Sequence, residues 1–378
     1  MKKIICIVLC FSIISGIIFT NVIANAEVNI SAPSALLMDF ETGKILYEKN
    51  ADEKRALASV TKIMTLLITM EEIYSGNLKY DDIVTGSEYA KGFGGSTIYL
   101  DAGEKMCVRD IIKGIAVASG NDASVAIAEH ISGTESVFVS RMNEKAVMLG
   151  MTGTNFVNCN GLDADGHYST ARDIAIMSRE LMKYEDIFDF TGIWMDSLRN
   201  GQFTLSNTNK LIRFYDGSTG LKTGSTNNAK FCISATAKRG NMHLIAVIMG
   251  AESSKQRQAD ASELLNYGFA NFSSEPVVDK NNISGVAHVS KGTKGKVDIY
   301  PCESVSFISE KNVDNIVDIT MDIPQKIKAP VSKGDKAGTL KIIVDNKEYK
   351  KVDLIYGESI EKISFSKLSN RYIRSWIC

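Results

Sequence analysis

The segment ALASVTKIMT, residues 56–65, decides how the rest of the chain is read. Ser59 precedes Lys62 by three positions. Ile63, Leu66, Leu67 and Met70 then recur at i, i+3, i+4 and i+7, the spacing of one apolar helix face. The pattern predicts a helix from Ser59, with Ser59 and Lys62 on one face and within reach of each other. A serine hydroxyl is a weak nucleophile until a base takes its proton. Lysine serves as that base only when burial or a second cation lowers its pKa. A helix N-terminus adds a positive field that suits an oxyanion. An ordinary N-cap serine beside a solvated lysine fits the same ten residues, so the segment needs company.

Two further motifs supply it. Ser119-Gly120-Asn121 falls between two predicted helices, and Lys222-Thr223-Gly224 enters a predicted strand, followed by Ser225. A chain this long contains a chance S-x-x-K about once, and K-T-G far less often. Together, at a helix start, a loop and a strand start, the three are much more specific. Lys222 is a candidate for the second cation that would lower the pKa of Lys62. Ser119 is placed to relay a proton between Lys62 and a leaving amine, and Asn121 to hold a substrate amide. The main-chain N–H groups of Ser59 and Ser225 suit an oxyanion hole. The strand from Thr223 suits pairing with an extended peptide.

Working outward, residues 34–50 read as two strands around the Glu41-Thr42-Gly43 turn. Residues 105 to 190 are mostly helical, with helices over 108–118, 123–131 and 137–149. Strands over 231–236 and 243–249 flank Arg239-Gly240-Asn241, and a helix over 261–272 closes the unit. Strands, a helical block, then strands and a helix predict an α/β layer with a helical insertion. After Pro276 the segments become short and alternating. Val317, Ile319, Met321 and Ile323 form one such row, and Val352, Leu354 and Tyr356 another. This predicts a small all-β domain over 277–362.

The N-terminus carries Lys2 and Lys3, an apolar run and Ala24-Asn25-Ala26, the order of a secretory signal over residues 1–26. The mature chain is expected to begin at Glu27, outside the cytoplasm. Of 378 residues, 44% are hydrophobic and 23% charged, which excludes global disorder. Lys+Arg 43 against Asp+Glu 44 shows no basic footprint for nucleic acid. Beyond the signal, Cys107, Cys159, Cys232, Cys302 and Cys378 are scattered, as are the four histidines. That spacing predicts neither a disulfide framework nor a metal site, and no cofactor is expected. Asp163, Asp165 and His167 read as a loop held by side-chain-to-backbone bonds, and His130 as a core histidine.

With these residues in view, the chain resembles the D-alanyl-D-alanine carboxypeptidases, low-molecular-mass penicillin-binding proteins of the S-x-x-K serine type. The resemblance covers nearly the whole mature chain. It includes ASGNDASVAIAEH (118–130), NGLDADGHYSTARDIA (160–175), GLKTGST (220–226) and SKQRQADASELLNYGF (254–269). It implies a β-lactamase/transpeptidase-like catalytic domain over 27–275. The implied activity is removal of the terminal D-alanine from peptidoglycan stem pentapeptides through an acyl-enzyme, with β-lactams acylating the same serine. By matching position, Ser59 is the nucleophile, Lys62 its base, and Ser119 and Asn121 the second motif. Lys222, Thr223 and Arg257 form the pocket for the substrate's terminal carboxylate, which an arginine fork matches. Gly224 and Ser225 complete the substrate strand.

Two positions depart from the pattern. Ser225 stands where some relatives carry histidine. Thr208, in Asn207-Thr208-Asn209, stands where some carry arginine, which shifts the carboxylate's charge partner to Arg257 or Arg213. A DD-endopeptidase or transpeptidase would use the same site. A class A β-lactamase would add a glutamate for deacylation, but no E-x-x-L-N lies between Ser119 and Lys222, and the β domain is extra. Intact Ser59, Lys62, Ser119 and Lys222 argue against an inactive peptidoglycan-binding protein. Residues 363–378, drawn as a helix, place Phe365, Leu368, Tyr372 and Trp376 on one stripe opposite Lys367, Arg371 and Arg374. That predicts an amphipathic helix lying on an anionic membrane surface, in agreement with the resemblance.

Overall fold

The computed structural model describes residues 28–364. The expected signal segment, and the expected amphipathic helix from Phe365 onward, lie outside the described residues. The catalytic unit is built on a five-stranded antiparallel sheet. Its order is Ile45–Lys49, Ser34–Asp39, Met242–Ala251, Lys230–Arg239 and Ser218–Thr226. Ser34–Asp39 and Met242–Ala251 are buried along their whole length, because both faces of the sheet are covered. Side chains alternate between the faces with period two. Leu36, Met38, Ile245 and Val247 join the helical core on one side. Ala35, Leu37, Leu244 and Ala246 join a second core under the helix Ser254–Asn271 on the other. The α/β layer with its helical insertion is therefore present as expected.

The strands Lys230–Arg239 and Met242–Ala251 are longer than predicted. They close on a two-residue turn, since Arg239 pairs with Met242, and Gly240 takes φ +56° there. The predicted helix over 261–272 begins earlier, at Ser254. Ser253 caps it by accepting a hydrogen bond from the Gln256 N–H. The first turns are polar, so apolar periodicity alone missed them. Helices Val108–Ala118, Asn121–Ser132, Glu135–Met148 and Ala171–Leu181 pack around the Lys62–Tyr74 helix. Among the described residues, no helix is long and apolar enough to cross a membrane.

Phe272–Val278 leaves the last helix and pairs with Val305–Glu310. A six-stranded sheet accompanies them, and its inward residues, including Ile299, Ile342, Val352 and Leu354, form a third core. Val317–Asp322 forms the expected strand, but at the sheet edge. Its apolar row pairs with Val344, Ile342 and Leu340 and is still 36–48% exposed. Ser218–Thr226 is likewise an edge strand, of the catalytic sheet. It packs directly against the turn that carries Ser59.

Candidate active site

Ser59 does not open an α-helix directly. It sits in a 3-10 turn, Ala58–Thr61, that runs into the helix Lys62–Tyr74. In a 3-10 turn, side chains at i and i+3 eclipse, which suits the pair better than an α-helical start. Lys62 Nζ donates to Ser59 Oγ at 3.0 Å. The same ammonium nitrogen donates to Asn121 Oδ1 at 2.6 Å and to the Asn160 carbonyl at 2.5 Å. Lys62 is fully buried, and burial pushes its pKa down to about 7. A lysine near 7, aimed at a serine hydroxyl, is suited to accept that hydroxyl's proton.

The second motif buttresses this pair. Ser119 ends the Val108–Ala118 helix at φ +65°, and Asn121 begins the next helix. The Asn121 side chain bridges Lys62 and a neighbouring loop, since its Nδ2 donates to the Gly94 carbonyl at 2.7 Å. Its main-chain N–H donates to Ser96 O at 2.7 Å. Asp122, buried beside it, accepts from the N–H groups of Ile98 and Leu100. Ser119 is buried, but its hydroxyl is not among the hydrogen-bond partners of Lys62.

The edge strand contributes the third motif. Lys222 is buried, and its Nζ donates to Thr223 O at 3.0 Å. Burial, reinforced by the charges of Lys62 and Arg257, holds its pKa well below the ordinary lysine value. Thr223 Oγ1 donates to Thr208 Oγ1 at 2.7 Å, so Thr208 engages the motif strand through a hydroxyl pair. Gly224 lies against the Ser59 turn. A Cβ there would stand 2.7 Å from Ser59 N and 2.9 Å from both Val60 N and Leu57 O. Only glycine allows the strand this close. Ser225 follows, exposed.

Arg257 does not lie open at the strand edge. It projects from the helix on the other face of the sheet and is only 5% exposed. Its Nη1 donates to the carbonyls of Gly224 and Cys232 at 3.3 Å each, and its Nη2 to Ser254 Oγ at 3.2 Å. Burial lowers its pKa to about 10. It braces the main chain of the motif strand and brings a positive charge beneath it. Arg213 stacks over the rings of Trp194 and Phe214.

Sequence reasoning missed what the segment 160–167 does. The Asn160 carbonyl is a partner of Lys62. Gly161, at φ +90°, lies so close to Ala58 that a Cβ would meet its carbonyl oxygen at 2.0 Å. Asp163 accepts from Thr226 Oγ1 at 2.7 Å, and His167 contacts Thr61. The turn-forming Asn, Gly and Asp residues marked a loop. Nothing in their spacing showed that it clamps the Ser59–Lys62 motif and the strand that carries the third motif.

The D-alanyl-D-alanine carboxypeptidase family matches residues 21–253, and the penicillin-binding protein 5 C-terminal domain matches residues 272–362. The D-alanyl-D-alanine carboxypeptidase DacF of Bacillus subtilis (strain 168) is 43% identical over 356 residues, covering 93% of this chain and 91% of that relative. Among solved structures, penicillin-binding protein 5 from Haemophilus influenzae superposes with a TM-score of 0.72 at 30% identity, covering 88% of this chain and 98% of that one. Penicillin-binding protein D2 from Listeria monocytogenes, solved in an ampicillin-bound form, gives a TM-score of 0.59 at 30% identity, covering 64% and 99%.

Proposed function

The chain belongs to the D-alanyl-D-alanine carboxypeptidase family of serine peptidases, and on that premise we propose that Ser59 is its nucleophile. The observation that carries this is the Lys62 geometry: a wholly buried side chain whose Nζ lies 3.0 Å from Ser59 Oγ. Neutral Lys62 takes the Ser59 proton as Oγ attacks the carbonyl of the terminal D-Ala-D-Ala bond. The main-chain N–H groups of Ser59 and Ser225 receive the developing oxyanion. D-alanine leaves with a proton delivered from Lys62 through Ser119, and water then hydrolyses the acyl-enzyme. The substrate lies extended along the exposed edge of Ser218–Thr226, its amide held by Asn121. Its terminal carboxylate meets the Thr223 hydroxyl in the positive field of Lys222 and Arg257.

The same attack opens a β-lactam and leaves penicillin on Ser59; the ampicillin-bound relative supports this reading. The substrate is the stem pentapeptide of peptidoglycan. Residues 1–26 act as an export signal. The catalytic domain occupies 27–275 and the all-β domain 277–362. Residues 363–378 hold the enzyme peripherally on the outer face of the cytoplasmic membrane. Incubating the soluble enzyme with a pentapeptide ending in D-Ala-D-Ala tests the reaction. Free D-alanine is the expected product; a cross-linked dimer in its place would mark a transpeptidase, and no product an inactive binding protein.

A further inference from the structure

We propose that His167 is a positioning residue for the nucleophile, holding the Ser59 turn in its reactive shape through Thr61 and the Ala58 carbonyl. The inference rests on Ser59 being the acylated residue. His167 Nε2 lies 2.8 Å from Thr61 Oγ1, and the Val157 main-chain N–H donates to His167 Nδ1 at 2.9 Å. A main-chain N–H only donates, so Nδ1 is the acceptor and the ring proton sits on Nε2. Thr61 spends its one hydroxyl proton on Ala58 O, at 2.8 Å, so its oxygen receives the Nε2 proton. The relay therefore runs in one direction, from Val157 through the ring and Thr61 to the Ala58 carbonyl.

That carbonyl belongs to the residue that begins the turn. Ala58 has φ +48°, a left-handed conformation that alanine enters at a cost and keeps only where its surroundings enforce it. Two contacts enforce it here: the Thr61 hydroxyl, and Gly161 pressed against the same carbonyl. The ring itself is fixed. It is 6% exposed and stands edge-on to Phe156. Burial lowers its pKa to about 4, so the neutral ring keeps its donor and acceptor roles at neutral pH. His167 hydrogen-bonds neither Ser59 nor Lys62. It acts through the turn.

The test measures the second-order rate of acylation by a fluorescent penicillin, together with Tm, for wild type, His167→Ala, His167→Gln, Thr61→Val and the double variant His167→Ala/Thr61→Val. Misplacement of a nucleophile by a fraction of an ångström costs on the order of tenfold to a hundredfold in rate. His167→Ala and Thr61→Val are each expected to lose that much. His167→Gln, whose amide N–H reaches toward Thr61, recovers most of it. The double variant is no slower than the slower single one, because both cut one relay. Should His167→Ala fail to fold, Thr61→Val and His167→Gln decide the matter. The proposal is overturned if folded His167→Ala or Thr61→Val acylates within twofold of wild type, or if the two losses multiply. It also falls if the wild-type adduct maps to a residue other than Ser59, an outcome read on wild type alone that removes the nucleophile assignment as well.

Discussion

Gly224→Ala probes the close approach of the motif strand to the Ser59 turn. The added Cβ would meet Ser59 N at 2.7 Å and Val60 N and Leu57 O at 2.9 Å. All three are main-chain atoms, so no side chain can swing aside. An ordinary Cβ contact begins near 3.4 Å, which means that strand and turn must part by about 0.7 Å. Overpacking of this kind costs roughly 1–3 kcal/mol of stability. The parting also moves Ser59 away from the strand along which the substrate is proposed to lie. A 1 Å misplacement is worth about a hundredfold in rate, so a loss of the order of tenfold to a hundredfold is expected here. The assay is the second-order acylation rate with fluorescent penicillin, run beside Ser225→Ala. Ser225 is exposed, and the proposed reaction uses only its main-chain N–H, so that variant is expected to stay close to wild type. Acylation of Gly224→Ala within twofold of wild type would refute the packing argument.

Two further outcomes follow from the same geometry, and a third from the sequence of the tail. Lys62 must be neutral to accept the Ser59 proton. With its pKa near 7, the neutral fraction climbs from roughly a tenth at pH 6 to about nine tenths at pH 8; acylation should rise close to tenfold over that range, and a flat or falling profile contradicts the role. Arg257→Ala, which removes the charge beneath the motif strand, should slow hydrolysis of free-acid peptides more than turnover of their amides, while an equal loss on both would leave it only its bracing of Gly224 and Cys232. Deleting residues 363–378 should abolish co-sedimentation of the mature protein with anionic vesicles at low salt and leave penicillin acylation intact; equal sedimentation of the truncated chain would rule out the tail as the anchor.

The parts of the site legible from sequence are those whose information is local. Ser59 and Lys62 are three residues apart, and the apolar rhythm after them announces a helix. That Ser59 lies in a 3-10 turn and Lys62 opens the α-helix after it leaves their closeness unchanged. The parts that were not legible depend on main-chain groups brought together over long separations. Lys62 bonds the carbonyl of Asn160, and Thr61 meets His167, 98 and 106 positions further along. Every residue offers a carbonyl, so composition cannot single out Asn160. Gly224 was readable as a motif letter, but the reason for it, the Ser59 turn a few ångströms away, appears only in the fold. Arg257 was placed near the site only by the family resemblance. Its engagement with the carbonyls of Gly224 and Cys232 was hidden because the polar first turns of its helix carry no apolar rhythm. Alternation at Val317, Ile319 and Met321 identified a strand without saying that it would lie at an edge with its apolar row partly bare.

The central claim is that Ser59 is the residue acylated, and mass spectrometry of the penicillin adduct tests it most directly. Mature wild-type protein should gain one penicillin mass, and peptide mapping should place it on the fragment containing Ser59. Ser59→Ala, folded by Tm, should gain none. An equal adduct on Ser59→Ala, or a wild-type adduct mapped to any other residue, would contradict the account.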